Sequence, residues 1–468
     1  MPALPPAVEA TIDDRFDDYQ AALFDLLRRP TISSTGEGLT EGAAATGRFL
    51  AAHGLESWTT IETDHEPLVY AERPGGDGAP TVVFYGHYDV QPAGDDAAWA
   101  SPPFEPTVRE GSIYARGAGD NKGQFGAHAF AVDALLAADA FPDVTVKLLV
   151  EGGEESGSRG LREYLASGAA EIVDADLVYI ADGPMHRSRR PTLVYGHRGV
   201  LSVRLSLRTA DADLHSGNFG GPVPNAANEL IAVIDSMQVD AGASVAVDGF
   251  YDGVAVTDRD RELVERIPCD GAAIREELGL TRFATETPYY ERLLLEPTLN
   301  VNGIAGGYTG PGAKTIVAHE ATATIDCRLV PDQDPDAVFD RIREHVAGRN
   351  PDVEVEHLNA FPPMKTPVDT PVAADVTDAL STVWGEPVVE LPVLGGSLPG
   401  AWFRTVDALA DVPVLVVPYA NPDQGNHGPN EHLDLDCFEN GIRTTAAFLR
   451  RFAGSTSTGS SATGSVDP

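Results

Sequence analysis

Glu154 and Glu155 sit side by side in a glycine-rich turn, EGGEESGS, directly after the apolar run 144–150. Two adjacent carboxylates where a buried strand meets a loop are costly, because each disfavours ionisation of the other. A cation nearby relieves that cost. An apolar run ending in His, Asp or Glu recurs three more times. Residues 81–85 (TVVFY) lead into Gly86-His87-Tyr88-Asp89, residues 177–181 into Asp182, and residues 413–419 into a turn-rich stretch, 421–430, holding Asp423 and His427. Asp120 comes from a further glycine-flanked turn, GAGDNKG. Imidazole and carboxylate donors without thiolates suit a pair of zinc, manganese or cobalt ions better than copper(I) or an iron–sulfur cluster. One carboxylate can bridge two metals about 3.5–4 Å apart, and such a pair polarises a substrate and activates water for hydrolysis. His87 and Asp89 are two apart, so an extended segment points both to one side, where Asp89 can orient the imidazole. Taken singly, each residue reads equally well as an ordinary polar strand cap. Only the joint pattern points to metal.

Residues so far apart in the chain meet only if the fold gathers the strand ends. Short runs rich in Val, Ile and Leu, bounded by turn residues, read as strands buried on both faces. In an open α/β sheet ligands bind at the carboxyl ends of such strands, so four of them would deliver His, Asp and Glu to one rim. The Ala-rich stretch 124–138 predicts a helix in the sheet's outer layer. Runs 199–208 (GVLSVRLSLR) and 321–329 (ATATIDCRL) alternate instead, predicting strands with one solvated face, while 225–237 and 335–346 have helical periodicity. The segment 199–366 therefore reads as an α+β module inserted into an α/β domain, which the slow growth of closure entropy with length tolerates. The expected organisation is a catalytic domain in two parts, 1–198 and 367–453, around the insert 199–366. A Gly-, Ser- and Thr-rich stretch, 454–468, is expected to be a disordered tail.

The motifs GHYDVQP, GAGDNKG, EGGEESGS, the Asp182 turn, DLHSGNFGG, DCRLVPDQ, GGSLP and HGPNEH, in this order, resemble the carnosinase, aminoacylase and acetylornithine deacetylase family of dinuclear metallopeptidases. The likeness is greatest to the carnosinase-like cytosolic dipeptidases, and it extends from about residue 7 to 453. It implies a zinc-peptidase-like mixed central sheet flanked by helices, with the insert acting as a lid and dimerisation domain. It also implies that His87 and Asp182 bind one metal, that Glu155 and a late histidine bind the other, and that Asp120 bridges them. Asp89 would hold His87 in place. Glu154 would be the general base that takes a proton from the bridging water and passes it to the leaving amine. The peptide bond after the bridging aspartate, here Asp120-Asn121, would be cis.

Two histidines compete for the late position. His427 lies in a turn soon after a strand end, whereas His432 opens what reads as the last helix, 433–451. The family pattern of His, two residues, Asn or Asp, then Glu fits His427-Gly428-Pro429-Asn430-Glu431 and selects His427. Within the insert, His215 resembles the histidine that reaches the partner subunit's site and stabilises the developing oxyanion. Arg328 resembles the arginine that grips the substrate's terminal carboxylate, a task its fork suits. Thr315 and Ser397 match weaker substrate-contacting positions, and Asn302 a weaker motif still. From the residues alone, His215 reads as a turn histidine and Arg328 as a solvated strand arginine.

The chain carries 33 basic and 71 acidic residues, a net charge of −38, and only four lysines: Lys122, Lys147, Lys314 and Lys365. Such self-repulsion is tolerated where salt screens it, which predicts a salt-rich, halophilic cytoplasm. It argues against nucleic-acid binding, which needs basic surface. Cys269, Cys327 and Cys437 are sparse and odd in number, as expected in a reducing compartment. No signal peptide and no membrane span are expected, and 468 residues suffice for more than one domain. The function expected is metal-dependent cleavage of dipeptides or short peptides by a cytoplasmic homodimer holding two divalent ions, zinc first. A deacylase of N-acyl amino acids, of the acetylornithine or succinyl-diaminopimelate type, is the nearest alternative. A non-catalytic metal-binding relative is disfavoured by the intact Glu154.

Overall fold

Every residue of the strand Thr81–His87 is buried. Val82, Val83 and Phe84 have neighbours on both faces, as a central strand of an α/β sheet requires. In this computed structural model, which describes residues 3–455, that strand lies between Thr145–Glu151 and Leu177–Ile180 and runs parallel to both. Val414–Val416 adds parallel to Leu177–Ile180. The four apolar runs singled out in the sequence are thus consecutive and co-directional, so their carboxyl ends share one edge. The whole sheet has eight strands, ordered Ser57–Ile61, Leu68–Arg73, Thr145–Glu151, Thr81–His87, Leu177–Ile180, Val414–Val416, Thr192–Val194 and Val389–Leu391. It is mixed, because Leu68–Arg73 pairs antiparallel with Thr145–Glu151, and Thr192–Val194 antiparallel with Val414–Val416.

Helices flank this sheet. Gly123–Ala137 is buried over nearly its whole length and packs on the Thr81–His87 strand and on the helices Pro6–Leu27 and Leu435–Ser455. A smaller sheet joins Thr107–Arg109, Ser112–Tyr114 and His432–Asp434. His432 therefore belongs to a strand and does not open the last helix, which starts at Leu435. The reason is local: Leu433 is buried opposite Ile113, and His432 stacks on Tyr114 with ring centroids 4.9 Å apart.

The chain divides into two compact units. Among the described residues, the first holds the eight-stranded sheet and takes in 3–195, 366–391 and 402–455; the second comprises 196–365 with 392–401. The second unit is built on an antiparallel four-stranded sheet, ordered Thr298–Gly306, Glu320–Leu329, Gly199–Arg208 and Glu354–Phe361. The alternation in its two central strands is a burial pattern: Leu201, Val203, Leu205 and Leu207 face a core shared with Ala321, Ala323, Ile325 and Cys327. Helices Ala226–Ser236 and Pro335–Arg349 cover that face. The Asn225 side chain accepts N–H bonds at the start of the first, and Asp334 caps the second ahead of Pro335. Caps of this kind contribute about 1 kcal/mol each. Residues 456–468, most of the stretch expected to be a disordered tail, lie outside the described residues.

Candidate metal centre

The common edge of the parallel strands carries the acids and imidazoles. His87 ends its strand, fully buried, and its Nε2 lies 3.0 Å from Asp120 Oδ1 and 3.7 Å from Asp182 Oδ2. His427 Nε2 lies 3.2 Å from Asp120 Oδ2 and 3.1 Å from Glu155 Oε2. Two clusters result, His87–Asp120–Asp182 and Asp120–Glu155–His427, each with its donor atoms within 4.8 Å of one another. They share Asp120, one oxygen facing each imidazole, which is the disposition of a bridging carboxylate.

Backbone geometry holds these groups. Gly117 has φ +85°, a left-handed conformation that glycine adopts without steric cost. A Cβ on Gly119 would collide with Gln424 Oε1. The Asp120-Asn121 bond is cis. Asn121 ties two strands to the turn: its Nδ2 donates to Ala181 O at 2.7 Å and its Oδ1 accepts the His87 N–H at 3.3 Å. Asp89, fully buried, has one oxygen 3.3 Å from His87 Nδ1 and accepts the backbone N–H of Glu154 at 3.2 Å and of Glu155 at 3.1 Å. One carboxylate thus sets both the imidazole and the paired-acid turn. Gln91 Nε2 donates to Glu155 Oε2 at 2.9 Å.

Two residues given no role from the sequence matter here. Glu431 is buried and accepts N–H bonds from Gly117, Gly119 and Asp120 at 3.0–3.1 Å through one oxygen, while the other takes Arg116 at 2.6 Å. It fixes the loop that presents Asp120; its place in HGPNE, beside His427, was the available signal. Asn121 was visible only as the partner of a cis bond. His432 is outside both clusters, with Nδ1 at 3.1 Å from Asn430 O. Asp423 is outside them too, accepting from Asn421 and Arg189.

Four carboxylates and two imidazoles in one pocket make it draw cations. Burial opposes a charge on His87, but its bonds to Asp120 and Asp89 and the nearby Asp182 override it and raise its pKa well above the ordinary value. His427 is pushed up to about 10 by its bonds to Asp120 and Glu155, against partial burial. Burial, with Asp120 and Glu155 adding and His87 opposing, raises Asp182 to about 7. Burial also lifts Glu154 well above the carboxylate range, His87 opposing and Asp182, Glu155 and Asp120 adding. Among the described residues, Asp182 Oδ2 is buried without a hydrogen-bond partner. Oxygen and imidazole donors, an excess of negative charge and an orphaned oxygen all fit a pair of divalent ions. Glu154 belongs to neither cluster, and its carboxylate makes no hydrogen bond to a described residue.

The remaining candidates lie in the second unit. Arg328 Nε donates to Asp326 at 3.2 Å and its NH1 to Ser397 Oγ at 3.3 Å. His215 is exposed, and its Nδ1 accepts the Gly217 N–H at 3.0 Å, which places the neutral ring's proton on Nε2. Thr315 O accepts the Ser216 N–H at 3.0 Å.

Residues 83–451 match the model of peptidase family M20/M25/M40. The Beta-Ala-His dipeptidase of Mus musculus is 30% identical over 402 residues, 82% of this chain and 79% of that protein. A Cys-Gly metallodipeptidase of Saccharomyces cerevisiae is 31% identical over 413 residues, 83% of this chain and 82% of that protein. The crystal structure of an M20 family metallo-carboxypeptidase from Sulfolobus solfataricus superimposes with a TM-score of 0.85 at 33% identity, covering 93% of this chain and 99% of that one.

Proposed function

Since this chain belongs to peptidase family M20/M25/M40, we propose that it is a metal-dependent dipeptidase, with His87, Asp120 and Asp182 holding one divalent ion and Asp120, Glu155 and His427 a second. The observation that carries this reading is the pair of donor clusters sharing Asp120, with Glu154 beside them and bound into neither. Bound ions would supply Lewis-acid polarisation of the scissile carbonyl and a lowered pKa for water. Zinc is the first choice from the donor set, and manganese and cobalt share its preferences.

The chain's own groups then move the protons. Glu154, its affinity for protons raised by burial and by neighbouring acids, takes one from the attacking water and returns it to the departing amine. Asp89 keeps His87 and the Glu154-Glu155 turn in place. Arg328, steadied by Asp326 and Ser397, holds the substrate's terminal carboxylate, with Thr315 near the peptide. His215, exposed and with Nε2–H free to donate, steadies the oxyanion in the partner subunit of a homodimer. Pairing through the second unit is supported by its edge strand Thr298–Gly306, which exposes Val301 and Ile304. Buried thiols at Cys327 and Cys437 and the net charge of −38 support a reducing, salt-rich cytoplasm. Among the described residues no helix is long and apolar enough to cross a membrane.

Assay of metal-loaded protein on Ala-His and Leu-Gly against N-acetylornithine tests the reading. Dipeptide turnover abolished by chelation is expected. Cleavage of N-acetylornithine alone would transfer the same site to deacylation.

A further inference from the structure

A cavity of about 490 Å³ lies wholly within the second unit, and its charge is out of keeping with the chain. Acidic residues outnumber basic ones 71 to 33 overall, yet this cavity is lined by Arg198, Arg292 and Arg328 and by no carboxylate. Two of the three arginines have an acid outside the lining: Asp326 meets Arg328 at 3.2 Å, and the partly exposed Glu296 meets Arg292 at 2.9 Å.

Arg198 is 2% exposed and, among the described residues, has no carboxylate partner. Its NH1 donates to Leu293 O at 2.6 Å and its NH2 to Thr298 Oγ1 at 3.2 Å, while its Nε is buried without an acceptor. Burial, together with Arg328 and Arg292 and against the nearby Asp326, lowers its pKa to about 10. Arg198 is thus the guanidinium of the three that has no carboxylate among the described residues, and a buried charge with a donor to spare favours an anion. The segment 283–289 adds Phe283, Ala284, Thr285, Thr287 and Tyr289 to the lining, a mixture of apolar and hydroxyl groups, so a short apolar stem ending in a planar anion matches what the walls offer.

We propose that this cavity is a subsite for a second carboxylate, the side chain of a C-terminal glutamate or aspartate on a dipeptide substrate. The inference rests on the reading above, in which Arg328 holds the terminal carboxylate. Arg198 and Arg292 then take the side-chain carboxylate, and the Thr285 and Thr287 hydroxyls supply further donors.

Ala-Glu and Ala-Gln, which differ by carboxylate against amide at nearly the same shape, test it on the metal-loaded enzyme. The account expects kcat/KM to favour Ala-Glu by about tenfold or more, the scale of one charge-assisted hydrogen bond. In Arg292→Gln that ratio falls toward one, and Arg292→Lys retains part of it. Arg198 is left intact in these variants, because it also ties Leu293 to Thr298; Arg292 donates to Pro297 O and Ala243 O as well, so Arg292→Lys, which keeps the charge, separates loss of the anion contact from loss of those ties. Calorimetric binding of free L-glutamate and L-glutamine to the same proteins reads the cavity without turnover. If no dipeptide is cleaved while glutamate still binds about tenfold more tightly, and loses that advantage in Arg292→Gln, the hydrolase reading fails and the subsite stands. Equal binding of the two amino acids, or a preference that Arg292→Gln leaves unmoved, overturns the subsite.

Discussion

The division of labour between Glu154 and Glu155 is the sharpest residue-scale claim. The two are neighbours in one turn, with their N–H groups on the two oxygens of Asp89, yet only Glu155 reaches a donor cluster. Removing a general base costs typically about 10²–10⁴-fold in rate, so Glu154→Ala should lose most turnover while binding as much metal as the unaltered protein, measured by elemental analysis. A variant that keeps full activity would refute the role. Spacing and residue type made His87, Asp89, Asp120, Glu155 and Asp182 legible as candidates, because each terminates a recognisable apolar run or sits in a glycine-rich turn, whereas His427 was separated from His432 by the family pattern. Glu431 was legible only as a position in HGPNE beside His427; its role was not, because its work is done on backbone N–H groups more than 300 residues away in sequence.

At the scale of elements, buried periodicity carried furthest. The alternation in 199–208 corresponds to the strand Gly199–Arg208, and the apolar runs to central parallel strands. What escaped were short elements with no repeat to read: the partly exposed edge strand Ser57–Ile61, the three-residue Val389–Leu391, and the small sheet that captures His432. The helix Gly123–Ala137 carries its own prediction. His128 is fully buried on it, stacked 4.1 Å from Phe84, with Nδ1 at 2.9 Å from Thr445 Oγ1 and Nε2 unpartnered. Burial lowers its pKa from 6.5 to about 3. Between those values the unfolded chain binds the extra proton and the folded chain does not. The contribution is therefore fully present above pH 6.5 and is lost as pH falls through the window, by up to about 1.4 kcal/mol per unit. Melting temperatures between pH 7 and 5 should fall less steeply in His128→Gln than in the unaltered protein. Parallel curves would contradict the account.

For the molecule as a whole, charge is the dominant fact. A net charge of −38 repels itself over the entire surface, and that repulsion shrinks as the Debye length falls from about 10 Å at 0.1 M salt to about 3 Å at 1 M. Melting temperature should rise by more than about 5 °C from dilute buffer to molar potassium chloride; equal stability at both ends would remove the halophilic reading. Composition made this expectation available at once. It did not reveal that the residues 392–401, around GGSLP, join the second unit, because that membership is decided by partners such as Arg198 and Arg328.

The proposed chemistry depends on Asp120 serving both of two ion sites. Anomalous diffraction from crystals of the zinc-loaded protein tests this most directly. The account predicts two peaks per chain, one among His87, Asp120 and Asp182 and the other among Asp120, Glu155 and His427. A single peak, or peaks away from Asp120, would contradict it.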